Sequence, residues 1–334
     1  MNSTLKKTLN FSIFFALAAL LLYFAFRKVD FGDILKRLSE ANYFWVILSL
    51  VVATIANVFR ALRWRLLMEP LGVNPPIKNV FGAVMVGYLA NFAFPRMGEI
   101  TKCGVLKKTD NASFESLIGT VLVERASDML MLLFCIILVF FIKIDVFGEF
   151  LIHKIFQPLI FKSSGVSYLS LFLIIFIFAS IYLILHLIRK NVFGHKVKSR
   201  VKSMYYGIID GLKSVVRMKK RGLFILYSFL IWGSYLFMTW LILLATEPTS
   251  GLGIVDGLFI MVVSSFGMVA PVQGGFGAFH IMAKMGLSLY GISPEDGLAF
   301  ATIAHESQTL YYIVFGTLLM ILLFAKRKPK LSVS

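Results

Sequence analysis

The feature that most constrains this 334-residue chain is a series of long apolar runs that recurs from one end to the other. A helix needs about 20 apolar residues to cross the hydrocarbon core of a bilayer. Six runs have this length, and we predict a full span at each: 10–26, 43–67, 114–142, 166–188, 222–245 and 298–324. The 58% of hydrophobic residues also exceeds the roughly 45–50% of an average soluble domain. The chain is therefore predicted to be an all-α polytopic membrane protein.

Two further apolar segments, at 79–94 and 254–270, are shorter than a full span. Each ends at a proline that is followed three residues later by a glycine, and a weaker apolar piece follows each break. Because proline lacks a backbone N–H and glycine tolerates unusual backbone geometry, a helix can stop and restart there. The residues that we assign to these breaks are Pro95, Gly98, Pro271, Gly274, Gly275 and Gly277. Each segment is then either a poor extra span or one arm of a re-entrant hairpin.

The distribution of basic residues favours re-entrant hairpins. If both segments turn back, 24 of the 34 lysines and arginines fall on one side of the membrane. That side contains the N-terminus, 60–78, 102–108, 189–221 and the C-terminal tail. The opposite side contains 27–42, 143–165, 246–256 and 290–297. Basic residues accumulate in cytoplasmic loops, so we predict that both termini lie in the cytoplasm.

This topology divides the chain into two halves with the same order of elements. Residues 10–142 and 166–324 each contain span, span, hairpin and span, and three crossings per half give the halves opposite orientations. Inverted repeats of this kind are found in many secondary transporters, whose sites lie at broken helices between the repeats. We therefore predict a single transmembrane domain over 1–334, with two inverted-topology repeats and eight membrane segments.

A strongly basic cytoplasmic connector is predicted at 189–221, between the spans at 166–188 and 222–245. It contains 11 basic residues and one acidic residue, Asp210, interspersed with apolar side chains. Such a segment either lies on the anionic inner leaflet as a surface helix or serves only as a topology anchor. The net charge of +17 is explained by cytoplasmic loops, and no nucleic-acid-binding motif accompanies it. We therefore expect membrane lipids, and no nucleic acid, as partners.

Three ionisable residues lie deep within the third predicted span, where each needs a partner or an aqueous cavity. They are Glu124, Arg125 and Asp128. Glu124 and Asp128 share a helix face at i, i+4, and Arg125 can reach Asp128 at i, i+3. One interpretation is a neutral Arg125–Asp128 pair that serves only packing. Since that pair leaves Glu124 without a partner, we favour a functional cavity.

The first helix break combines irregular backbone with positive charge. Irregular backbone at membrane depth persists only where it is buried in protein or lines water. The helix that restarts after Pro95 and Gly98 has free N–H groups at its positive end, and Arg96 and Lys102 add two cations. These features suit a phosphate or another anion. The alternative is a cytoplasmic loop whose cations only determine topology.

The second break and the last span contain further polar residues. Gln273 offers hydrogen bonds, and His280 and Lys284 share a helix face at i, i+4. The nearby glycines fit either substrate contact or a close helix–helix contact. We expect His305 or Glu306 in the last span to face the centre of the protein. The spacing of His280, His305 and Glu306 matches no known metal site, so no metal is predicted.

A polar group near the cytoplasmic end of the second span is interpreted as an anchor. It consists of Asn57, Arg60, Arg63, Trp64 and Arg65. Long basic side chains reach towards lipid headgroups and tryptophan prefers the interface, so no site is predicted there. The chain also contains no HExxH, P-loop or GxSxG motif, and no paired aspartates of the kind that hold magnesium. We predict neither a catalytic residue nor a cofactor.

Three motifs, taken in order, resemble those of the flippase-like transmembrane family, to which the membrane region of lysylphosphatidylglycerol synthases belongs. They are PRxGExxK from Pro95 to Lys102, ERxxD from Glu124 to Asp128, and PxxGGxG from Pro271 to Gly277. The resemblance covers nearly the whole chain. It implies a multi-pass protein of the bacterial cytoplasmic membrane, with lipid translocation as the favoured activity. The aminoacyl-transferase domain of the synthases is expected to be absent, because the chain ends shortly after its last span.

The chain departs from the family pattern in its second half. His280 stands where members commonly have glutamate, and His305 and Glu306 stand where a cation is common. Together, the resemblance and the polar residues predict a lipid flippase that is not an enzyme. Its arginines would hold an anionic or zwitterionic headgroup, and its carboxylates would orient those arginines. The predicted substrate-binding residues are Arg96, Glu99, Lys102, Glu124, Arg125, Asp128, Gln273, His280, Lys284, His305 and Glu306.

Two other functions remain open at this point. One is a membrane-embedded transferase that acts on a phospholipid or polyprenyl-phosphate carrier, with Glu124 or His305 as general base. The other is a non-transporting partner subunit that docks through 189–221. The sequence does not predict an oligomeric state.

Overall fold

The computed structural model describes residues 20, 22–23, 31–94, 96–110, 112–152, 161–162, 165–166, 218–269 and 272–325. Its helices are α1 (Phe31–Glu40), α2 (Tyr43–Met68), α3 (Ile77–Ala93), α4 (Gly98–Asp110), α5 (Phe114–Ile142), α6 (Ile144–Glu149), α7 (Arg221–Leu243), α8 (Ile254–Val269), α9 (Ala278–Leu287) and α10 (Pro294–Ala325). Single 3-10 turns occur at Glu69–Leu71, Glu247–Thr249, Gln273–Gly275 and Ser288–Tyr290. Two-residue strands, β1 (Phe161–Lys162) and β2 (Gly165–Val166), pair antiparallel. The predicted all-α class is confirmed for the described part of the chain.

Four helical segments are long and apolar enough to cross a bilayer. They cover Tyr43–Leu71, Phe114–Ile142, Arg221–Leu243 and Pro294–Ala325. These segments match four of the six predicted spans to within about four residues. The predicted spans at 10–26 and 166–188 lie outside the described residues, apart from residues 20, 22, 23 and 166. Large side chains such as Leu130, Phe134 and Phe141 are exposed along α5, as expected of a helix in lipid. The chain is a multi-pass membrane protein.

The shorter apolar segments form two helical hairpins, the first from α3 and α4 and the second from α8 and α9. In the first hairpin, Asn79 Nδ2 near the start of α3 donates to Asp110 Oδ1 at the end of α4, at 3.0 Å. In the second, the ring centroids of Phe259 in α8 and Tyr290 just after α9 lie 5.9 Å apart. Each hairpin therefore begins and ends at the same end of the molecule.

Glycines allow the two arms of each hairpin to approach closely. A Cβ atom added to Gly87 in α3 would lie 2.9 Å from the carbonyl oxygen of Gly98 in α4. A Cβ atom added to Gly267 in α8 would lie 2.6 Å from the carbonyl oxygen of Ala278 in α9. No side chain fits at either position without a backbone shift. Close contacts between small residues of this kind stabilise helix pairs in membranes.

Segments that are predicted to share a side of the membrane lie together in the structure, one group at each end of the molecule. At the first end, Lys220 Nζ lies 2.8 Å from Glu69 Oε1, and Lys108 Nζ lies 4.9 Å from the ring centroid of Phe324. Both contacts join segments that the charge distribution assigns to the cytoplasm. The segments predicted to lie on the opposite side meet at the other end in two ion pairs, Arg37 with Asp296 and Lys143 with Asp256.

The two halves of the chain pack against each other through pairs of corresponding helices. The most extensive contact joins α2 and α7, the helix that precedes the hairpin in each half. The helix α10 lies against α3, and in the same manner α5 lies against α8. One apolar core surrounds Phe259 and Phe300, and another surrounds Trp64 and Leu106. Both hairpins are thereby enclosed by long helices from each half.

Candidate functional site

Five charged side chains from three helices lie together beside the first hairpin. We call Arg60, Arg63, Lys102, Glu124 and Asp128 the ionic cluster. Arg60 Nη1 lies 2.9 Å from Glu124 Oε1 and 3.2 Å from Asp128 Oδ2. Arg63 Nη2 lies 2.6 Å from Asp128 Oδ1, and Lys102 Nζ pairs with Glu124 Oε2. Three cations thus share two carboxylates.

The ionic cluster is almost completely buried. The side chains of Arg63 and Glu124 are 0% exposed, and that of Asp128 is 14% exposed. Removing a charge from water is expensive, and a buried pair is maintained only by good geometry and additional hydrogen bonds. Ionisable groups at membrane depth are accordingly rare and generally functional. The cluster is therefore the first candidate for a site.

Hydroxyl and aromatic groups complete the contacts of the cluster. Arg60 Nη2 donates to the Tyr235 hydroxyl at 2.6 Å, and Arg63 Nη1 donates to Ser228 Oγ at 3.1 Å. Both acceptors belong to α7, so the cluster connects the two halves of the chain. Lys102 Nζ also lies 4.3 Å from the ring centroid of Trp64, within the range of a cation–π interaction.

A small, partly open cavity adjoins the ionic cluster between α2, α3, α4 and α5. Its lining residues are Arg60, Val84, Gly87, Tyr88, Asn91, Gly98, Glu99, Lys102 and Arg125. The lining includes three cations and one carboxylate. Within the described part of the chain, Arg60 Nε is buried and has no acceptor within hydrogen-bond distance. The cavity thus has a positive wall, and one of its lining arginines has a buried donor without an acceptor.

Arg125 and Glu99 form the more accessible part of this wall. Arg125 Nη2 lies 2.8 Å from Glu99 Oε1, and the Arg125 side chain is 46% exposed. The alternative interpretation, a neutral pair between Arg125 and Asp128, does not match the observed ion pairs. Asp128 turns instead towards Arg60 and Arg63 on α2, because these two arginines point into the bundle from the facing helix.

The positive end of α4 contributes to the same cavity. The helix starts at Gly98, whose N–H donates to Asn91 Oδ1 at 2.7 Å. Asn91 therefore satisfies one of the N–H groups that the sequence predicted to be free. Gly98 and Glu99 in the first turn line the cavity, so the helix dipole adds to the positive potential there.

Arg96 lies elsewhere than predicted. It is exposed at the tip of the first hairpin, has a φ of 61°, and is absent from the cavity lining. Its Nη2 lies 3.5 Å from the carbonyl oxygen of Val269 in the second hairpin. The expectation that Arg96 and Arg125 share one cavity is wrong, because the turned backbone directs Arg96 towards the opposite hairpin. Pro95 and Pro271 lie outside the described residues.

The tips of the two hairpins meet at this point. Gln273 Nε2 donates to the Ala93 carbonyl oxygen at 3.2 Å, so Gln273 contacts the first hairpin. A Cβ atom added to Gly274 would lie 2.9 Å from the ring of Phe92. The second break also has φ values of 58°, 79° and 76° at Gly274, Gly275 and Gly277, a region that favours glycine. These glycines shape the contact between the tips.

A second polar cluster lies below the tip of the second hairpin. His280 Nε2 lies 3.6 Å and His305 Nδ1 lies 3.1 Å from Glu306 Oε1. His305 Nε2 lies 2.7 Å from the carbonyl oxygen of Gly274. Both histidines are buried, and Glu306 is 40% exposed. Lys284, one turn after His280, has its backbone against Gly297 of α10, where a Cβ atom would lie 3.2 Å from Lys284 Cα.

Arg60 and Arg63 are the residues that the sequence interpretation missed. They were assigned to a membrane anchor, and that assignment is wrong because both point into the bundle and pair with α5. Arginines near the end of a span usually extend towards lipid headgroups, so their position alone was misleading. The sequence feature that could have identified them was Glu124, because a carboxylate inside a membrane span needs cationic partners from another helix.

Comparison with known proteins now adds an independent observation. Residues 11–316 match the family model described as the lysylphosphatidylglycerol synthase TM region. The chain belongs to this family. This match spans both hairpins, the ionic cluster, and the second polar cluster of His280, His305 and Glu306.

Curated relatives of this family member are archaeal membrane proteins. A UPF0104 membrane protein of Methanocaldococcus jannaschii is 22% identical over 88% of this chain and 89% of its own length. A UPF0104 membrane protein of Methanothermobacter thermautotrophicus is 23% identical over 89% of this chain and 89% of its own length. Another, from Pyrococcus horikoshii, is 23% identical over 83% of this chain and 85% of its own length. No solved structure matches the chain.

Proposed function

We propose that this protein moves a lipid with an anionic or zwitterionic headgroup across the bacterial cytoplasmic membrane. The observation that carries the proposal is the positive cavity beside the buried ionic cluster. Arginine and lysine side chains together with a helix N-terminus form a suitable environment for a phosphate group. The cavity is small, with room for about one water molecule, so a headgroup would enter it only when a hairpin moves, and the lipid chains would remain in the bilayer.

The charge count supports an anionic ligand. The ionic cluster and the cavity wall together contain four cations and three carboxylates. The cations are Arg60, Arg63, Lys102 and Arg125, and the carboxylates are Glu99, Glu124 and Asp128. One positive charge is therefore in excess, in surroundings where an excess charge is strongly disfavoured. A bound phosphate would neutralise it and would supply an acceptor for the buried donor of Arg60.

The arrangement of the helices supports alternating access between two inverted repeats. In each half a long helix precedes a hairpin and another long helix follows it: α2 and α5 in the first half, α7 and α10 in the second. The two hairpins open towards opposite ends of the molecule, and their tips meet at Gln273 and Ala93. In a bilayer both hairpins would be re-entrant, and the tip contact would separate the two sides. Movement of one hairpin relative to the other would then expose the site to either leaflet.

The transferase alternative has less support from the geometry. Glu124, which with His305 is one of its two candidate bases, has both carboxylate oxygens engaged by cations, with Arg60 on one and Lys102 on the other. A carboxylate held in this way is a poor proton acceptor, so the cluster fits charge recognition better than proton transfer. We therefore propose a transporter and not an enzyme. We also propose that the segment at 189–221 contacts the anionic leaflet. Residues 189–217 of this segment lie outside the described part of the chain.

Reconstitution tests the proposal. Purified protein in liposomes should accelerate the transfer of fluorescent phosphatidylglycerol or another anionic phospholipid between leaflets, and a neutral diacylglycerol analogue should move at the protein-free rate. Liposomes with heat-denatured protein serve as the control. Unchanged transfer across a panel of anionic and zwitterionic headgroups would reject the transporter. A new or missing lipid species in a deletion strain, with unchanged leaflet distribution, would favour the transferase instead.

A further inference from the structure

We propose that His280, His305 and Glu306 form a binding site for a divalent transition-metal ion of the zinc class. The three residues offer two imidazole nitrogens and a carboxylate oxygen, and these ligand atoms all lie within 4.8 Å of one another. The sequence spacing does not predict this site, because His280 and His305 belong to different helices. The hairpin fold brings α9 against α10 and so unites them.

The separations between Glu306 and each histidine suit a tetrahedral metal, and the ligand nitrogens of the two histidines lie within 4.8 Å of each other. Zinc–nitrogen and zinc–oxygen bonds of about 2.0–2.1 Å place the ligand atoms of a tetrahedral site about 3.3–3.5 Å apart. Glu306 Oε1 lies 3.6 Å from His280 Nε2 and 3.1 Å from His305 Nδ1. Both separations are within about 0.3 Å of the tetrahedral value, a difference that side-chain rotation can remove.

The hydrogen bond of His305 to the backbone determines which nitrogen is available. The Gly274 carbonyl oxygen, 2.7 Å from His305 Nε2, can only accept, so Nε2 carries the hydrogen. In a neutral imidazole, Nδ1 then has a lone pair, and this lone pair faces the carboxylate oxygen of Glu306. Two acceptors at that distance repel each other unless a cation lies between them. Metal-bound histidines typically donate their second nitrogen to a carbonyl group in this way.

The surroundings favour a borderline metal over a hard one. The rings of Phe276 and Phe279 lie 4.7 Å and 5.4 Å from the His305 ring, measured between centroids, and shield it from solvent. Imidazole nitrogens suit zinc, copper and nickel, whereas magnesium and calcium prefer all-oxygen sites. Three protein ligands with a partly exposed Glu306 leave room for a water molecule as the fourth ligand.

A metal at this position would join the second hairpin to the last long helix. His280 belongs to α9, His305 and Glu306 belong to α10, and Gly274 lies in the break at the tip. The bound ion would therefore stabilise the position of the second hairpin that the structure shows. The site itself is tested by metal binding alone, so the result does not depend on whether the protein moves lipid.

The experiment uses the full chain with a tag that contains no histidine, and with the histidines at 153, 186 and 195 replaced by glutamine. After chelator treatment and dialysis, zinc is titrated by calorimetry at pH 7, and bound zinc is counted by elemental analysis. We expect one zinc ion per chain, with affinity reduced more than tenfold by H280A, H305Q and E306Q. E295Q on the same helix is the matched control and should bind as the unaltered site does. Equal zinc binding by all these proteins would overturn the proposal.

Cobalt provides a second readout that needs no variant of the site. Cobalt(II) in a tetrahedral site with nitrogen and oxygen ligands should give visible absorption bands of high intensity, which zinc then removes by competition. Magnesium in excess should have no effect on them. Weak bands typical of octahedral hydrated cobalt, or bands that zinc does not remove, would also overturn the proposal. If His280, His305 and Glu306 only shared a proton and bound no metal, the intense cobalt bands would not appear.

Discussion

Arg60 Nη1 and Glu124 Oε1 lie 2.9 Å apart in the interior of the bundle, although 64 residues separate them in the chain. This contact joins α2 to α5, and Lys102 joins α4 to the same carboxylate. Glu124 is thus the acceptor around which the first hairpin and two long helices are arranged. The interior of this half of the protein is organised by charge as well as by apolar packing.

The first prediction concerns the loss of that acceptor. In E124Q, Lys102 would lose its carboxylate partner, and Arg60 and Arg63 would keep only Asp128. Removing one partner of a buried ion pair destabilises a protein by about 3–5 kcal/mol, because the remaining charge is not compensated. Thermal and denaturant unfolding of the purified variant in detergent should show this loss.

E115Q is the control for that measurement. Glu115 lies in the first turn of the same helix and is exposed, so its substitution should change stability by less than about 1 kcal/mol. Equal stability of E124Q and E115Q would contradict the description of the ionic cluster as a buried network.

The second prediction compares two glycines of α4. A Cβ atom at Gly98 would clash with the Gly87 carbonyl oxygen and with the Asn91 side chain, whereas a Cβ atom at Gly104 has no atom within 4 Å. G98A should therefore destabilise the protein by about 1–3 kcal/mol through overpacking. G104A should be neutral or stabilising by up to about 1 kcal/mol, since alanine has a higher helix propensity than glycine in a helix interior.

Thermal unfolding of both variants under the same conditions separates these outcomes. If G98A were as stable as G104A, the arms of the first hairpin would not be as close as the structure indicates.

The third prediction tests whether the first hairpin is re-entrant. In a background without Cys103 and Cys135, single cysteines would replace the exposed residues Lys78 and Lys107 at the two ends of the hairpin. Since Asn79 contacts Asp110, both cysteines should react with a membrane-impermeant maleimide only from the cytoplasmic side. K36C, in the segment assigned to the opposite side, is the control and should react only from outside. Reaction of K78C and K107C from opposite sides would mean that the chain between them crosses the membrane.

The parts of the fold that could be predicted are those that depend on properties of a single segment. The four long helices were predicted because length and hydropathy depend on the segment alone. The grouping of loops into two ends was also predicted, because the basic residues follow the membrane side. Inverted repeats and eight segments remain predictions, since the segments at 10–26 and 166–188 lie largely outside the described residues.

The site was harder to predict because its contacts join distant helices. Glu124, Asp128 and Lys102 were recognised as unusual for a membrane span, and the structure brings them together. The direction of Arg60 depends on how α2 is rotated within the bundle, and the direction of Arg96 depends on a left-handed backbone conformation. Neither property is encoded in local hydropathy. The meeting of His280 with His305 likewise requires the packing of α9 on α10.

The measurement that tests the account most directly is the transport of an anionic lipid by two variants with opposite changes in charge. Arg125 and Glu99 form an ion pair in the cavity wall, and neither is in the buried cluster, so both variants should fold. R125Q removes a cation from the wall and should slow the transfer of fluorescent phosphatidylglycerol in liposomes at least tenfold. E99Q removes the competing carboxylate and should leave transfer equal or faster, and R65Q, outside the cavity lining, should match the unaltered protein. Equal transfer by R125Q and the unaltered protein would contradict the claim that this positive cavity recognises the headgroup.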